Sequence, residues 1–471
     1  MPFFYLTQER YSVTHRPINS FKAYDVRGKL GPDINEDVAY RIGRGMVEFL
    51  SAKTIAVGGD VRLSTPELKT ALMRGICDAG ADAYDIGLAG TEQVYFAVNH
   101  LNCDGGVEVT ASHNPIDYNG FKLVKHHARP ISSDTGLFDI KAIAEAGTFK
   151  DSANKGAVHS IDIFDAYIDK LMSFVGAFSG TKPLKLVINS GNGAAGPVVN
   201  ALEDRLIQAN SPLQLIKLYN DPDGAFPNGV PNPMLEENRE DSSEAILKHK
   251  ADMGIAFDGD FDRCFFFDEK GRYVDGCYVV SLLARHFLEQ QPDSHIVYDP
   301  RVIWNTLYEI DRLGGQAVIS KSGHSFMKDV MREVDAIYGG ELSAHHYFRD
   351  FYYCDSGMIP WLIVCQILMT SDKKMSEVAD SYYEAFPCSG EINLTVDDSS
   401  TVLKQLEKHY ARDAVTVDHT DGLSMSFQQW RFNIRQSNTE PLIRLNIESK
   451  GDKKLLQIKI NELQTLILND I

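Results

Sequence analysis

Apolar residues fall into short β-branched runs separated by helix-length amphipathic segments, and this rhythm recurs three times along the chain. The first round predicts a strand at 54–60, a helix at 66–79, and strands at 83–87 and 106–110. The second predicts a strand at 184–189, a helix at 197–209, and strands at 213–218 and 253–257. The third predicts a strand at 295–299, a helix at 302–313, and strands at 316–320 and 336–339. Parallel strands need a crossover connection, and the intervening helices supply it, so each round is a βαβ unit. From about residue 389 the pattern alternates instead, at 430–435 and 442–448, before a periodic tail at 455–468. The expected fold class is therefore α/β: three similar α/β domains with mainly parallel mixed sheets, then a smaller C-terminal α+β domain, around a central cleft. The expected boundaries are 1–157, 158–272, 273–383 and 384–471.

In each round the last strand delivers a polar loop: Ala111-Ser-His-Asn-Pro115, Asp258-Gly-Asp-Phe-Asp-Arg263 and Gly340-Glu-Leu-Ser-Ala-His345. Open α/β sheets bind ligands beyond the carboxyl ends of their strands, so three equivalent loops are expected to line one cleft.

Length and charge narrow the function. At 471 residues, with 44% hydrophobic and 24% charged residues, the chain has material for several cores. With 47 Lys plus Arg against 65 Asp plus Glu, the net charge is −18 and no basic run offsets it, which argues against nucleic acid or an anionic membrane as partner. Anionic small substrates remain open. Seven scattered cysteines without metal-ligand spacing suggest reduced thiols in the cytoplasm. The first 16 residues lack the order of a signal peptide, and the longest apolar stretch, 358–369, contains Pro360 and is too short to span a membrane.

Asp258, Asp260 and Asp262 alternate, so in an extended segment they share a face and converge on one hard cation, a Mg²⁺-type site; the alternative is a solvated acidic turn. A calcium EF-hand is rejected although Glu269 falls at the twelfth position, because Arg263 stands where that loop needs glycine and the flanks are strand-like. Ser112 sits in a turn-forming sequence, outside any GxSxG elbow, and Lys122 follows. A serine opposing a metal and a lysine suits a phosphoryl carrier, because the cations neutralise the group in transfer. The segment from Arg435 through Ser437, Asn438 and Thr439 carries the donors for a phosphate dianion, or is a plain polar hairpin. His324 is a hydrogen bonder, an acid/base or a structural histidine. Glu341 and Ser343 are placed to bind vicinal sugar hydroxyls, or Glu341 is one more surface acid. One rival signal is the Gly191-Asn-Gly-Ala-Ala-Gly196 turn, which follows a strand and opens a helix, as in a dinucleotide-dependent oxidoreductase; Asp221 lies about ten residues later than the usual acid.

With Phe21-Lys-Ala-Tyr-Asp-Val-Arg-Gly28, the Ser112 loop, the aspartate triplet, the Glu341 loop and Ser437-Asn-Thr-Glu-Pro441 in this order, the sequence resembles the α-D-phosphohexomutases, and most closely their bacterial phosphomannomutase branch. The resemblance implies that Ser112 is the phosphoserine and itself a metal ligand beside Asp258, Asp260 and Asp262, which hold Mg²⁺. It implies that Arg263 meets the sugar or the transferring phosphate, and that Glu341 and Ser343 read the O3 and O4 hydroxyls. Arg435, Ser437, Asn438 and Thr439 match the grip on the non-transferring phosphate. Tyr24, Arg27, Lys122, His324 and His345 match active-site positions, and Arg301 stands where relatives often carry lysine. The His345-His346 pair leans towards the mannose branch. The implied activity is interconversion of mannose 6-phosphate and mannose 1-phosphate through a hexose 1,6-bisphosphate, feeding GDP-mannose for capsule or lipopolysaccharide. A phosphoglucomutase or dual-specificity mutase is the alternative. Partners are expected to be sugar phosphates only, the protein a monomer or dimer, and the last domain mobile to admit the sugar.

Overall fold

The computed structural model of the protein describes residues 17–175, 178, 182–436 and 442–468. Four sheets follow one another along the chain. In the first, strand Thr54–Gly59 lies between the parallel strands Asp82–Leu88 and Gly105–Val109, and Tyr118–Lys125 returns antiparallel beside the latter. The second repeats the plan: Leu184–Asn189 lies between Leu213–Leu218 and Met253–Phe257, with Cys264–Asp268 antiparallel beyond. The third does so with His295–Tyr298 between Gln316–Ile319 and Tyr338–Gly340, and His346–Phe348 antiparallel beyond. The fourth is fully antiparallel, built on the long pair Trp430–Gln436 and Leu442–Ser449. Three α/β sheets and one α+β sheet are thus as the alternation of apolar runs predicts, and in all three repeats the polar loop joins the last parallel strand to its antiparallel neighbour.

Two predicted elements shift. The strand expected at 336–339 forms at Tyr338–Gly340, because Asp335 and Ala336 still belong to the end of helix His324–Val334: Asp335 is left-handed and the Ala336 amide donates to Met331. The helix expected from 302 starts at Trp304, since the Ile303 and Trp304 amides instead donate to Glu448, 2.8 and 3.0 Å away. The apolar stretch 358–369 forms helix Met358–Thr370, buried along most of its length, with Pro360 in the first turn where no amide is missed. No described helix is long and apolar enough to cross a membrane.

The packing ties three sheets together and leaves the fourth apart. One apolar cluster runs from Ala56 through Val94, Leu186, Phe257, Tyr338 and Trp361 to Cys388, continuous across the first three units. The fourth unit has its own core around Phe432, Leu445 and Leu463. Glu92, fully buried, fastens the junction of the three: its carboxylate accepts from Tyr167 Oη at 2.6 Å, Ser356 Oγ at 2.9 Å and the Gly357 amide at 2.6 Å. The fourth unit is held by polar contacts, with the buried Arg431 guanidinium on Glu448 at 2.6 Å and on the carbonyls of Pro300 and Arg301 at 2.7 and 3.1 Å.

Candidate active site

The serine loop begins where strand Gly105–Val109 ends. Thr110 Oγ1 accepts from the Ser112 amide at 2.8 Å and donates to Asp60 at 2.7 Å, which turns the chain so that Ser112 adopts a left-handed φ of 49°. A non-glycine residue holds this conformation only when its surroundings enforce it. The enforcement comes from Arg62, buried beside Asp60. Its guanidinium donates to the carbonyls of Ser112, Asn114, Pro115 and Tyr118 at 2.6–3.0 Å. Arg27 adds bonds to the Ala111 carbonyl at 2.6 Å and Asn114 Oδ1 at 2.7 Å.

The aspartate loop faces it. Gly259 is required there, because a Cβ would lie 2.5 Å from the Ser112 carbonyl oxygen; a side chain would push the two loops apart. Ser112 Oγ donates to Asp258 Oδ2 at 2.8 Å across this contact. The three carboxylates do converge, with ligand atoms within 4.8 Å of one another, but through a turn and not through an extended run. Phe261 takes φ 44° and its amide donates to the Asp258 carbonyl, so pleat alternation is not what gathers them. Asp258 is nearly enclosed by Arg263, whose Nε and Nη2 donate at 2.9 and 2.6 Å; Nη2 also reaches Ser112 Oγ at 3.3 Å.

Lys122 closes the cluster. Its ammonium contacts Asp260 Oδ2 at 2.7 Å and lies close against Asp262 Oδ2. Burial would lower its pKa, but the two carboxylates outweigh burial and hold it above the usual lysine range. In this cluster Lys122 is a charged donor. Asp260 Oδ1 and Asp262 Oδ1 are left buried with no hydrogen-bond partner. Orphaned carboxylate oxygens are costly, and a hard divalent cation is the group that this donor set fits.

The third loop brings Glu341, Ser343 and His345 to the opposite wall. Glu341 accepts from the Gly323 amide at 2.7 Å and from Tyr347 Oη, and lies 3.4 Å from His345 Nδ1. Nε2 of His345 lies 3.7 Å from Asp262 Oδ1 and 4.0 Å from Asp355 Oδ2. Arg301 donates from Nε and Nη2 to the two carboxylate oxygens of Asp299, both at 2.9 Å, and reaches Ser343 Oγ at 3.3 Å. Burial works against its charge, but Asp299 and Glu341 raise its pKa further, so it anchors the loop and holds no labile proton. His324 opens its helix with Nδ1 unpartnered, and its ring stands edge-on to Tyr24 at 6.1 Å. Burial, then the ammonium groups of Lys328 and Lys122, keep this imidazole neutral. His346 points away from the cleft: it is fully buried and its Nδ1 meets Tyr338 Oη at 2.7 Å.

Arg435 is the last residue but one of strand Trp430–Gln436, with Nη2 on Glu391 at 2.9 Å. Glu391 also lies 3.3 Å from Arg444 and 3.8 Å from Arg301, linking the strands Trp430–Gln436 and Leu442–Ser449 to the guanidinium beside the Glu341 loop. Ser437, Asn438 and Thr439 lie outside the described residues. The Gly191–Gly196 turn carries no open phosphate cradle: the Ala194 amide donates to the Gly259 carbonyl at 3.1 Å and the Asn192 side chain to the Asp221 carbonyl at 2.9 Å, so the turn supports the aspartate loop from behind.

Asp60, Arg62, Thr91, Asp299 and Glu391 escaped the sequence reading. Asp60 and Asp299 each follow the first strand of a repeat, so the rule that ligands gather at carboxyl ends of strands would have flagged them. The other three carry no local signal.

Comparison with known proteins agrees with this geometry. Residues 19–151, 165–271, 275–386 and 391–463 match, in that order, the models described as phosphoglucomutase/phosphomannomutase α/β/α domains I, II and III and C-terminal domain. A phosphomannomutase of Escherichia coli (strain K12) is 56% identical over 454 residues, covering 96% of this chain and 99% of its own. One from Vibrio cholerae serotype O1 is 51% identical over 458 residues, with the coverage again 96% and 99%. A crystal structure of a phosphoglucomutase/phosphomannomutase family protein from Burkholderia thailandensis superposes with a TM-score of 0.85 at 31% identity, over 97% of this chain and 98% of that one.

Proposed function

The chain belongs to the phosphoglucomutase/phosphomannomutase family, and from that membership we propose that it interconverts mannose 6-phosphate and mannose 1-phosphate through a phosphoserine at Ser112 and a hexose 1,6-bisphosphate. The observation that carries the serine assignment is the 2.8 Å bond from Ser112 Oγ to Asp258, in a loop held in a left-handed turn at the mouth of the carboxylate cluster.

Asp258, Asp260, Asp262 and the serine oxygen would hold Mg²⁺, for which the two orphaned oxygens Asp260 Oδ1 and Asp262 Oδ1 argue. When bound, that ion offsets negative charge on the phosphoryl group in transfer. The phosphoryl group leaves Ser112 Oγ as a sugar hydroxyl oxygen bonds to phosphorus, and the hydroxyl proton passes to a base. His345 is the side chain suited to that proton: its Nε2 faces Asp262 and Asp355 while Glu341 orients Nδ1. Arg263 contributes fixed positive charge beside the serine oxygen, and Lys122 does so beside Asp260 and Asp262. Glu341 and Ser343 read the sugar hydroxyls, and Arg435 grips the phosphate that is not reacting. The bisphosphate then reorients so that its other phosphate returns to Ser112 Oγ, with the proton movements reversed. Arg27 and Tyr24 line the same mouth and complete the binding surface for a sugar phosphate.

Phosphorus NMR with Mg²⁺, a trace of glucose 1,6-bisphosphate and mannose, glucose or glucosamine 6-phosphate in separate samples tests this. Fastest formation of mannose 1-phosphate is expected. Faster glucose 1-phosphate would assign the chain to the glucose branch, and no 1-phosphate from any sugar would overturn mutase activity.

A further inference from the structure

The carboxylate cluster is built from one loop, but the group that aims it comes from another domain. Thr91 is the first residue of helix Thr91–His100 in the first unit and is fully buried. Its Oγ1 donates to Asp260 Oδ2 at 2.6 Å, and the same oxygen accepts from Lys122 Nζ at 3.2 Å. Its amide donates to the Asp260 carbonyl at 3.2 Å, so Thr91 holds this aspartate by both main chain and side chain. The preceding residue allows the approach: a Cβ on Gly90 would lie 2.6 Å from the Asp260 carbonyl oxygen and 2.2 Å from the Phe261 ring.

Both side-chain bonds to Asp260 fall on one oxygen of its carboxylate. Lys122 and Thr91 both take Oδ2, and Oδ1 is buried without a partner. A carboxylate can rotate about its Cβ–Cγ bond and exchange its oxygens, and two donors fixed on one oxygen, one from a helix start and one from a strand, remove that freedom. We infer that Thr91 is a positioning residue for the divalent cation: its hydroxyl pins Asp260 Oδ2 and thereby keeps Oδ1 turned into the carboxylate cluster. This rests on the aspartates being the cation site. Thr91 touches neither sugar nor phosphate in this role. Its effect runs through Asp260, and hydrogen-bond partners of metal ligands are worth about 10- to 100-fold in affinity.

The neighbouring Glu92 makes the arrangement one of assembly as well. Glu92 fastens the same helix start to the Ser356–Met358 segment and to Tyr167, so Thr91 is presented to Asp260 only when the first three units are packed together.

The test is calorimetric titration of Mn²⁺ into full-length, EDTA-stripped protein, without substrate. Thr91→Val is isosteric but removes both bonds of the hydroxyl, and should weaken Mn²⁺ by about tenfold or more. Thr91→Ser keeps the hydroxyl and should bind within about threefold of wild type. Thermal denaturation of the stripped proteins reports whether the valine variant is folded. Asp260→Asn is the separate control on the carboxylate reading. Wild-type affinity in a folded Thr91→Val overturns the role of Thr91 while leaving the aspartates in place. Wild-type affinity in Asp260→Asn, or no Mn²⁺ binding by the wild type, overturns the cation site itself and Thr91 with it.

Discussion

Arg62 donates from Nη2 to the carbonyl oxygen of Ser112 at 3.0 Å, so the residue proposed as the phosphoryl carrier is held by its backbone as well as by the bond of its side chain to Asp258. The distinction matters for a phosphoryl carrier. Its Oγ must be free to gain and lose a phosphoryl group, so the loop is better fixed through its backbone than through that oxygen, which meets His113 Nδ1 at 3.0 Å and Asp258 at 2.8 Å. Four carbonyls converging on one guanidinium provide this, and Asp60 supplies the balancing charge at 3.4 Å.

Arg62→Lys should therefore lower turnover while leaving substrate affinity nearly intact. Lysine keeps the charge beside Asp60 but cannot span four carbonyls with a point ammonium. A displacement of the serine by about 1 Å costs on the order of 100-fold in rate. Steady-state kinetics would show a kcat loss of about 10- to 100-fold with KM changed by less than about threefold. Unchanged kcat would remove the loop-setting role.

Ser112→Ala should lose turnover by about a thousandfold or more, because no other hydroxyl can replace the carrier. The alanine still accepts from Arg62 through its carbonyl, so the loop persists and mannose 1-phosphate should still bind in calorimetry. Appreciable activity in this variant would mean that phosphate is transferred by a route not involving Ser112.

Arg435→Ala acts at the other end of the substrate. Removing one charge-assisted bond to phosphate costs about 1.5–3 kcal/mol, or roughly 10- to 150-fold in affinity, and should appear in KM more than in kcat. The loss also leaves Glu391, now 2.9 Å from Arg435, with Arg444 and Arg301 as its neighbouring cations. Arg435→Ala/Glu391→Gln should then recover part of the KM, since a carboxylate that has lost one of its three cations no longer stands beside an incoming dianion. An unchanged KM in the single variant would refute the grip.

The sheets were readable because each strand is a short apolar run bounded by turn residues, and the three polar loops were readable because they interrupt those runs at equivalent places. The aspartates were found by spacing, although Phe261 at φ 44° shows that a turn brings them together. What spacing does not contain is long-range pairing. Arg62 meets the Ser112 loop 50 residues later, and Thr91 meets Asp260 at a separation of 169 residues. Both residues are ordinary in local context, one in a turn and one at a helix start, and only the packing of separate units gives them partners. His346 errs in the opposite direction: adjacent to His345, it reads as part of the sugar loop, yet strand alternation sends it into the core against Tyr338.

That buried histidine sets a pH dependence of stability. Burial, then the neighbouring His345, pushes the His346 imidazole down to about 3, and its Nδ1 lies 2.7 Å from the Tyr338 hydroxyl. In the unfolded chain the same group titrates near about 6.5. Between these values the unfolded state binds the extra proton, so stability falls as pH drops from about 6.5 towards 4 and is fully present above that range. By pH 4 the loss is on the order of 3 kcal/mol from this residue. His346→Gln keeps a hydrogen-bonding side chain of similar reach without a titrating proton. Denaturant unfolding at pH 7.5 and pH 5 should show the variant less stable than wild type at the higher pH, with a smaller difference between the two pH values. An equal pH difference in variant and wild type would mean that His346 is protonated at no cost in the folded protein, and that burial does not hold it neutral.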